Sequence, residues 1–402
     1  MNKKFVTSIA ALAVGVCLSA NASAQEAPST YKWPDYFNVI TSAVGTANHS
    51  LAVAWTAKFS TDTGVKARVK PSPNGYSRSA WLAEGEGRLA LSQASTYFDK
   101  MDAALGFASP AAGPSDTRLF GISAISAWGY VVRGNSDIKS LDDIGPGTRI
   151  AYAESTPFLA AGIDALLAYR GLEKSDVSLI EVGSYSANTT VLTEERADVT
   201  FTGPLSGINY QAEATPGGIR WLPLPERSDN PEAYDRYRKI LPGYSPGINQ
   251  TGTESSIGIL LDHSFQDYHV RGDEDEEFVY QLYKWTVEHH DEYKDDYVHA
   301  KMMSLENLVK YLDQGALEPL ADGTIRYLKE VDLWKPEYQA RQDALIALAE
   351  RQVEAFRAAV DEARERGITV QQGDQEWIDL WKEYRVSHDI PLSFGNAVRA
   401  LD

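Results

Sequence analysis

Four short stretches of this chain place glycine, hydroxyl and amide residues directly ahead of a helix-like run. They are Ser42 to Ser50 (SAVGTANHS), Ser72 to Arg78 (SPNGYSR), Glu154 to Pro157 (ESTP) and Thr202 to Pro204 (TGP). Free backbone N–H groups at the start of a helix, with the positive end of its dipole, suit a carboxylate or another small anion. Gly45, Thr46 and His49 are the candidates in the first stretch, and Asn74, Tyr76, Ser77 and Arg78 in the second. Ser155 and Thr156 stand in the third, Gly203 and Pro204 in the fourth, and Gln93 closes a strand-like run between them. Arg78 is the most informative of these. A cation at a helix start is electrostatically misplaced, and a bidentate grip on a carboxylate would account for it. The competing readings are structural: caps on Ser50 or Asn48 in the first stretch, an Asn-Gly turn in the second, a solvated Arg78 paired with Glu84.

The elements that would hold these loops alternate between strand and helix up to about Val270. Strand patterns run over Phe37–Thr41, Lys66–Lys70, Leu89–Gln93, Leu119–Ser126, Tyr130–Val132, Arg149–Ala153, Val177–Val182, Val199–Thr202, Arg220–Pro223 and Ile257–Leu261. Helix patterns lie between them at Ser50–Thr61, Ser77–Glu84, Phe158–Tyr169 and Tyr185–Glu194. This predicts an α/β fold with parallel sheets. After Gly272 the pattern turns helical and ends in a long charged helix from about Pro336 to Arg366, striped by Leu345, Ala349, Val353, Phe356 and Val360. The run SLDDIGPGTRIA reads as the start of a second lobe and PGINQTGTESS as the return. The expected organisation is therefore residues 36–126 and 256–335 for one lobe, 127–255 for the other, and 336–402 for a helical extension.

The amino terminus has the form of a secretory leader: Lys3 and Lys4, an apolar run to Leu18, and Ala22-Ser23-Ala24 before Gln25. Cleavage after Ala24 is expected to remove residues 1–24, including the single cysteine, and to place the mature chain in the periplasm. Loss of the two lysines takes the formal charge from −18 to −20. So acidic a chain does not seek nucleic acid or an anionic membrane surface, and no later stretch approaches the roughly 20 apolar residues of a spanning helix. Catalytic signatures are missing. Ser206 in GPLSG stands one place late for a nucleophile elbow, and there is no phosphate loop or dinucleotide fingerprint. The acidic run Asp273 to Glu277 and the histidines His289, His290 and His299 lack metal-ligand spacing. Neither an enzyme nor a cofactor is expected.

The order and spacing of SAVGTANHS, SPNGYSRSAWLAEGEGRLALSQAS, SLDDIGPGTRIAYAEST, RADVTFTGPLSG, EEFVYQLYKWTVEHHDEY and LEPLADGTIRYLKEVDLW resemble the TAXI type of solute-binding protein, the receptor of a TRAP transporter. The resemblance spans roughly residues 35 to 336. It implies a two-lobed type II periplasmic-binding-protein fold that closes over a small organic anion, an oxo-acid or an acidic amino acid, and delivers it to a membrane permease. The chain departs from the family pattern at Ser42, Thr46, Arg78, Arg88 and Ala321, and in the segment beyond Pro336. A secreted hydrolase or a ligand sensor on the same fold is the alternative.

Overall fold

The computed structural model describes residues 31–401 except 43, 45, 153–156, 184 and 298. The expected leader lies outside the described residues. The chain from Trp33 onward forms one unit.

The chain starts with β1 (Tyr36–Thr41), α1 (Ala47–Thr63), β2 (Lys66–Pro71), α2 (Gly75–Ala83), β3 (Leu89–Gln93) and α3 (Ala94–Met101), then enters the long strand β4 (Thr117–Arg133). The same sequence of elements follows again: β5 (Arg149–Tyr152), α4 (Pro157–Arg170), β6 (Ser178–Glu181), α5 (Tyr185–Thr193), β7 (Val199–Thr202), α6 (Gly207–Glu213), β8 (Ile219–Leu222) and α7 (Pro231–Ile240). The short β9 (Ser245–Ile248) leads into the second long strand, β10 (Leu260–Arg271). Helices α8 (Glu276–Glu288), α9 (His290–Tyr293), α10 (Leu305–Asp313), α11 (Asp322–Glu330), α12 (Pro336–Arg366), α13 (Gln375–Ser387) and α14 (Phe394–Arg399) complete the chain.

Strand order is β2-β1-β3-β10-β4-β7-β5-β6. It reads as two copies of one pattern, β2-β1-β3-β10 and β6-β5-β7-β4, joined where β10 and β4 pair. Within each copy the three short strands are parallel and the long strand is antiparallel to them. The expected α/β architecture is thus present in two halves, but the sheets are mixed, because the two long strands run against the rest. β4 also replaces two predicted strands with one of 17 residues. Gly129 does not break it: the missing side chain there makes room for Leu261 and Trp221.

Each half has its own core. Phe37 and Phe59 meet edge to face at 5.5 Å in the first, and Phe59 meets Trp285 at 4.9 Å. The second half buries Tyr130, Ile150, Leu159, Ile163, Leu166, Phe201 and Tyr237. Close approach of α4 to β7 needs a glycine, since a Cβ on Gly162 would stand 2.2 Å from Cδ1 of the buried Phe201. Gly162→Ala is expected to cost about 1–3 kcal/mol through overpacking, read from the urea midpoint at unchanged m-value.

The C-terminal helices pack onto the first half. Pro336 opens α12 and Gly367, at φ 72°, ends it after 31 residues. Its Phe356 packs against Trp377 and Trp381 of α13 at 5.8 and 5.7 Å. Trp381 Nε1 donates to the carbonyl of Asp102 at 2.9 Å, and buried Gln352 donates to that of Met101 at 2.8 Å. At the far end, Arg399 donates to the carbonyls of Pro242 and Tyr244, and Tyr244 belongs to the second half's core.

Candidate functional site

In a doubly wound sheet ligands bind outside the carboxyl ends of the parallel strands. In the first half those ends are Thr41, Pro71 and Gln93, and their loops lead into α1, α2 and α3. In the second half Tyr152, Glu181 and Thr202 hold the same places ahead of α4, α5 and α6. The candidates of the first two stretches fall on adjacent loops, because Ser72 extends the pairing of β1 and β2: its N–H and its Oγ both donate to the carbonyl of Thr41 at 2.9 Å. Gly45, Ser155 and Thr156 lie outside the described residues.

Thr46 caps α1. Its Oγ1 accepts from the His49 N–H at 3.2 Å and shares a 2.6 Å hydrogen bond with Ser42 Oγ. The cap is therefore neither Ser50 nor Asn48; Ser50 Oγ instead donates back to the Thr46 carbonyl at 3.2 Å. His49 Nδ1 is buried with no hydrogen-bond partner among the described residues, and so is Thr41 Oγ1 at the end of β1. Both are unspent polar capacity beside the first loop.

Asn74 caps α2 by accepting from the Ser77 N–H at 2.9 Å. The helix thus starts two residues earlier than the pattern suggested, and the Ser77 N–H is already used. Tyr76 lies edge to face on Phe107 at 4.7 Å, over Gly106. That is a packing position.

Arg78 is partly buried and its Nε donates to the carbonyl of Leu91 at 3.0 Å, with a longer 3.4 Å approach of Nη1 to Ser72 Oγ. Its Nη2 stands 3.6 Å from where a Cβ on Gly75 would lie. Among the described residues no carboxylate lies within 4 Å of the guanidinium, so Glu84 is not its partner. Burial pulls the guanidinium down to about 10, which leaves it charged at neutral pH. A charged fork with two donors committed to neutral acceptors and no counter-ion is electrostatically incomplete.

Gln93 ends β3 opposite Gln266 of β10 and donates to Ser95 Oγ at 2.9 Å. Gln266 donates to Ser126 Oγ at 3.2 Å, and its buried Oε1 has no partner among the described residues. Gln266 escaped the sequence reading because β10 beyond Leu261 was not recognised as a strand.

In the second half, Gly203 and Pro204 are buried in the β7–α6 loop. The Gly203 carbonyl accepts from Asn209 Nδ2 at 2.8 Å, and the Pro204 carbonyl accepts from the Thr253 N–H at 3.1 Å. Asn209 organises this loop: it also donates to Thr202 Oγ1 and Ser206 Oγ, at 3.0 and 2.7 Å, and accepts from Thr189 at 2.8 Å. Ser206 is thereby bound to an amide, not to a base, as a nucleophile would need. Tyr130 packs on Phe201 in the core, while the partly buried Trp128 packs on the exposed Phe158 at its edge. Asp275 caps α8 through the Glu277 N–H at 3.0 Å, which accounts for the acidic run there. No described helix is long and apolar enough to cross a membrane.

Curated proteins yield no match to this chain. Among solved structures, the aliphatic sulphonate binding protein SsuA of Escherichia coli is 14% identical over 86% of this chain and 92% of its own, with a TM-score of 0.39. A TctC solute binding protein from Polaromonas is 12% identical over 62% and 82%, at 0.43. MatC of Rhodopseudomonas palustris, with bound malate, is 11% identical over 80% and 98%, at 0.39. Similarity this distant carries no argument about a ligand. The match to a family model is of another kind: that of the NMT1-like family covers residues 43–331, more than half of the chain, and the protein belongs to that family.

Proposed function

We propose that this protein is an extracytoplasmic solute receptor of the TAXI type, which binds a small organic anion between its two halves and passes it to a TRAP-type membrane permease. The observation that carries the reading is Arg78, a partly buried guanidinium without a carboxylate partner among the described residues, set between the ends of β2 and β3. An organic carboxylate supplies the missing charge with two parallel hydrogen bonds. The loop of Thr46 and His49 takes the other end of the ligand, and the loops ending β5 and β7, with Ser155, Thr156, Gly203 and Pro204, close over it. β4 and β10 are the crossing strands about which such a closure turns. No bond is made or broken, so the protein acts as a receptor and not as an enzyme, and closure excludes water from the charged contacts.

A thermal-shift screen of residues 25–402 tests this with dicarboxylates, oxo-acids, acidic amino acids, neutral amino acids and sugars. A ligand at a hundred times its dissociation constant adds about 2.7 kcal/mol of stability. One class of organic acid is expected to raise the melting temperature. A shift from neutral solutes alone would remove the guanidinium from the site.

A further inference from the structure

A second group of buried polar atoms lies in the first half and reaches a small cavity that Gly75 and Arg78 of the second loop also line. Asp267 and His269 stand two residues apart on β10 and so share a face of the strand, where the register against β4 shifts twice. Glu318 comes to the same place from the segment that bridges Leu320 to Leu119. His269 Nε2 is 2.5 Å from Glu318 Oε2 and 3.3 Å from Asp267 Oδ1. The three residues are 0, 3 and 1% exposed in the order Asp267, His269, Glu318. Their polar atoms have no side-chain hydrogen bonds outside the trio among the described residues: Asp267 and Glu318 hydrogen-bond each other, and His269 lies against Glu318.

Two carboxyls and an imidazole turned on one another in a dry interior are costly as charges unless a proton or a cation is held between them. Lys100 lies beside the group but donates to Thr117 Oγ1 at 2.9 Å and forms no ion pair with either carboxylate among the described residues. The exposed trio Asp62, His289 and Glu292 has lysine in its place: Lys58 lies 2.7 and 2.6 Å from its two acids. Beside the buried trio, Lys100 is bonded to Thr117 instead.

We propose that Asp267, His269 and Glu318 bind one divalent transition-metal ion as a buried structural site. One imidazole and two carboxylates are the donor set of Zn²⁺ or Mn²⁺. The surroundings hold the ligands in place, as such sites require. The ring edge of Tyr97 rests against His269 at 5.5 Å. Gln342 of α12 accepts from the Leu320 N–H at 2.8 Å and donates to its carbonyl at 2.9 Å, and Tyr311 accepts from the Leu317 N–H at 2.8 Å. His269 also borders a cavity of about 20 Å³, room for one water as a further ligand. The ion pins β10 to the segment clamped by α12, and so couples the C-terminal extension to the central strand.

Metal analysis by inductively coupled plasma mass spectrometry tests the site, on the mature chain exported in medium containing zinc and manganese and purified without chelating resin. One ion per chain is expected. Glu318→Gln and Asp267→Asn keep side-chain shape and are expected to lose the ion with the far-UV circular dichroism unchanged. Refolding the wild type from chelator with Co²⁺ should give a visible absorption band that His269→Asn abolishes, which keeps the test open if the carboxylate variants fold poorly. Trace metal in folded wild type together with no Co²⁺ band overturns the proposal and leaves the two carboxyls sharing a proton. A full equivalent retained by the folded variants also overturns it, since the ion is then held elsewhere.

Discussion

Arg78→Ala is expected to weaken binding of the organic acid by about 2–5 kcal/mol, the cost of truncating one partner of a buried charge pair, or roughly 30-fold to several thousand-fold. Titration calorimetry reads it directly. Arg78→Lys keeps the charge but loses the fork, and is expected to fall between the two. The residue also ties α2 to β3 through its 3.0 Å bond to the Leu91 carbonyl, so the alanine variant loses some stability as well, about 1 kcal/mol for a hydrogen bond of this kind. Stability and affinity can be separated: a purely structural Arg78 lowers the melting temperature and leaves the dissociation constant alone. Because burial pulls the guanidinium only to about 10, affinity is expected to stay level across neutral pH and to fall as pH rises through that value.

Asp262→Ala is expected to cost about 3–5 kcal/mol of stability, because it leaves a buried guanidinium without its counter-ion. Asp262 is fully buried near the start of β10, where β10 pairs with both β9 and β4. Its Oδ1 lies 2.5 Å from Arg238 Nη1 of α7, and Tyr237 donates to its other oxygen. Arg238 keeps bonds to the Tyr234 hydroxyl and the Tyr244 carbonyl, at 3.1 and 3.2 Å, but neither neutralises it. Replacing both partners by apolar residues of similar volume, Asp262→Leu with Arg238→Met, is expected to recover most of the loss. Urea unfolding of the two variants decides it: equal losses in both would show that packing, not the orphaned charge, sets the cost. The pair joins a helix of the second half to a crossing strand, so the double variant also asks whether that strand needs a polar lock.

What the sequence made legible was whatever alternated cleanly or carried its own punctuation. β1 and β3 are short apolar runs, and α12 is framed by Pro336 and Gly367. β10 was read only as far as Leu261, because Asp262, Asp267 and His269 look like loop residues until their partners are known. Those partners are distant in the chain: Arg238, Glu318 and the whole of β4. The parallel expectation held for the short strands of each half and failed only at the two long strands, whose pairings across the centre close over long stretches of chain and leave no local pattern. In the site, the loops were visible from their glycines and hydroxyls, but which atom caps which helix was not. Thr46 and Asn74 take the caps, so the N–H of Ser77 is spent on the fold. Asn209 was missed because it sits in α6, a helix the sequence patterns did not include, and an asparagine carries no signal until four partners converge on it.

The most direct test of the account is a crystal structure of the mature chain with the acid that gives the largest thermal shift. The account predicts one ligand between the two halves, with a carboxylate oxygen about 2.7–2.9 Å from an Arg78 guanidinium nitrogen. It also predicts that the loops after β1 and β7 contact the same molecule. A ligand bound elsewhere, or bound in the cleft with Arg78 still directed only to Leu91 and Ser72, would contradict it.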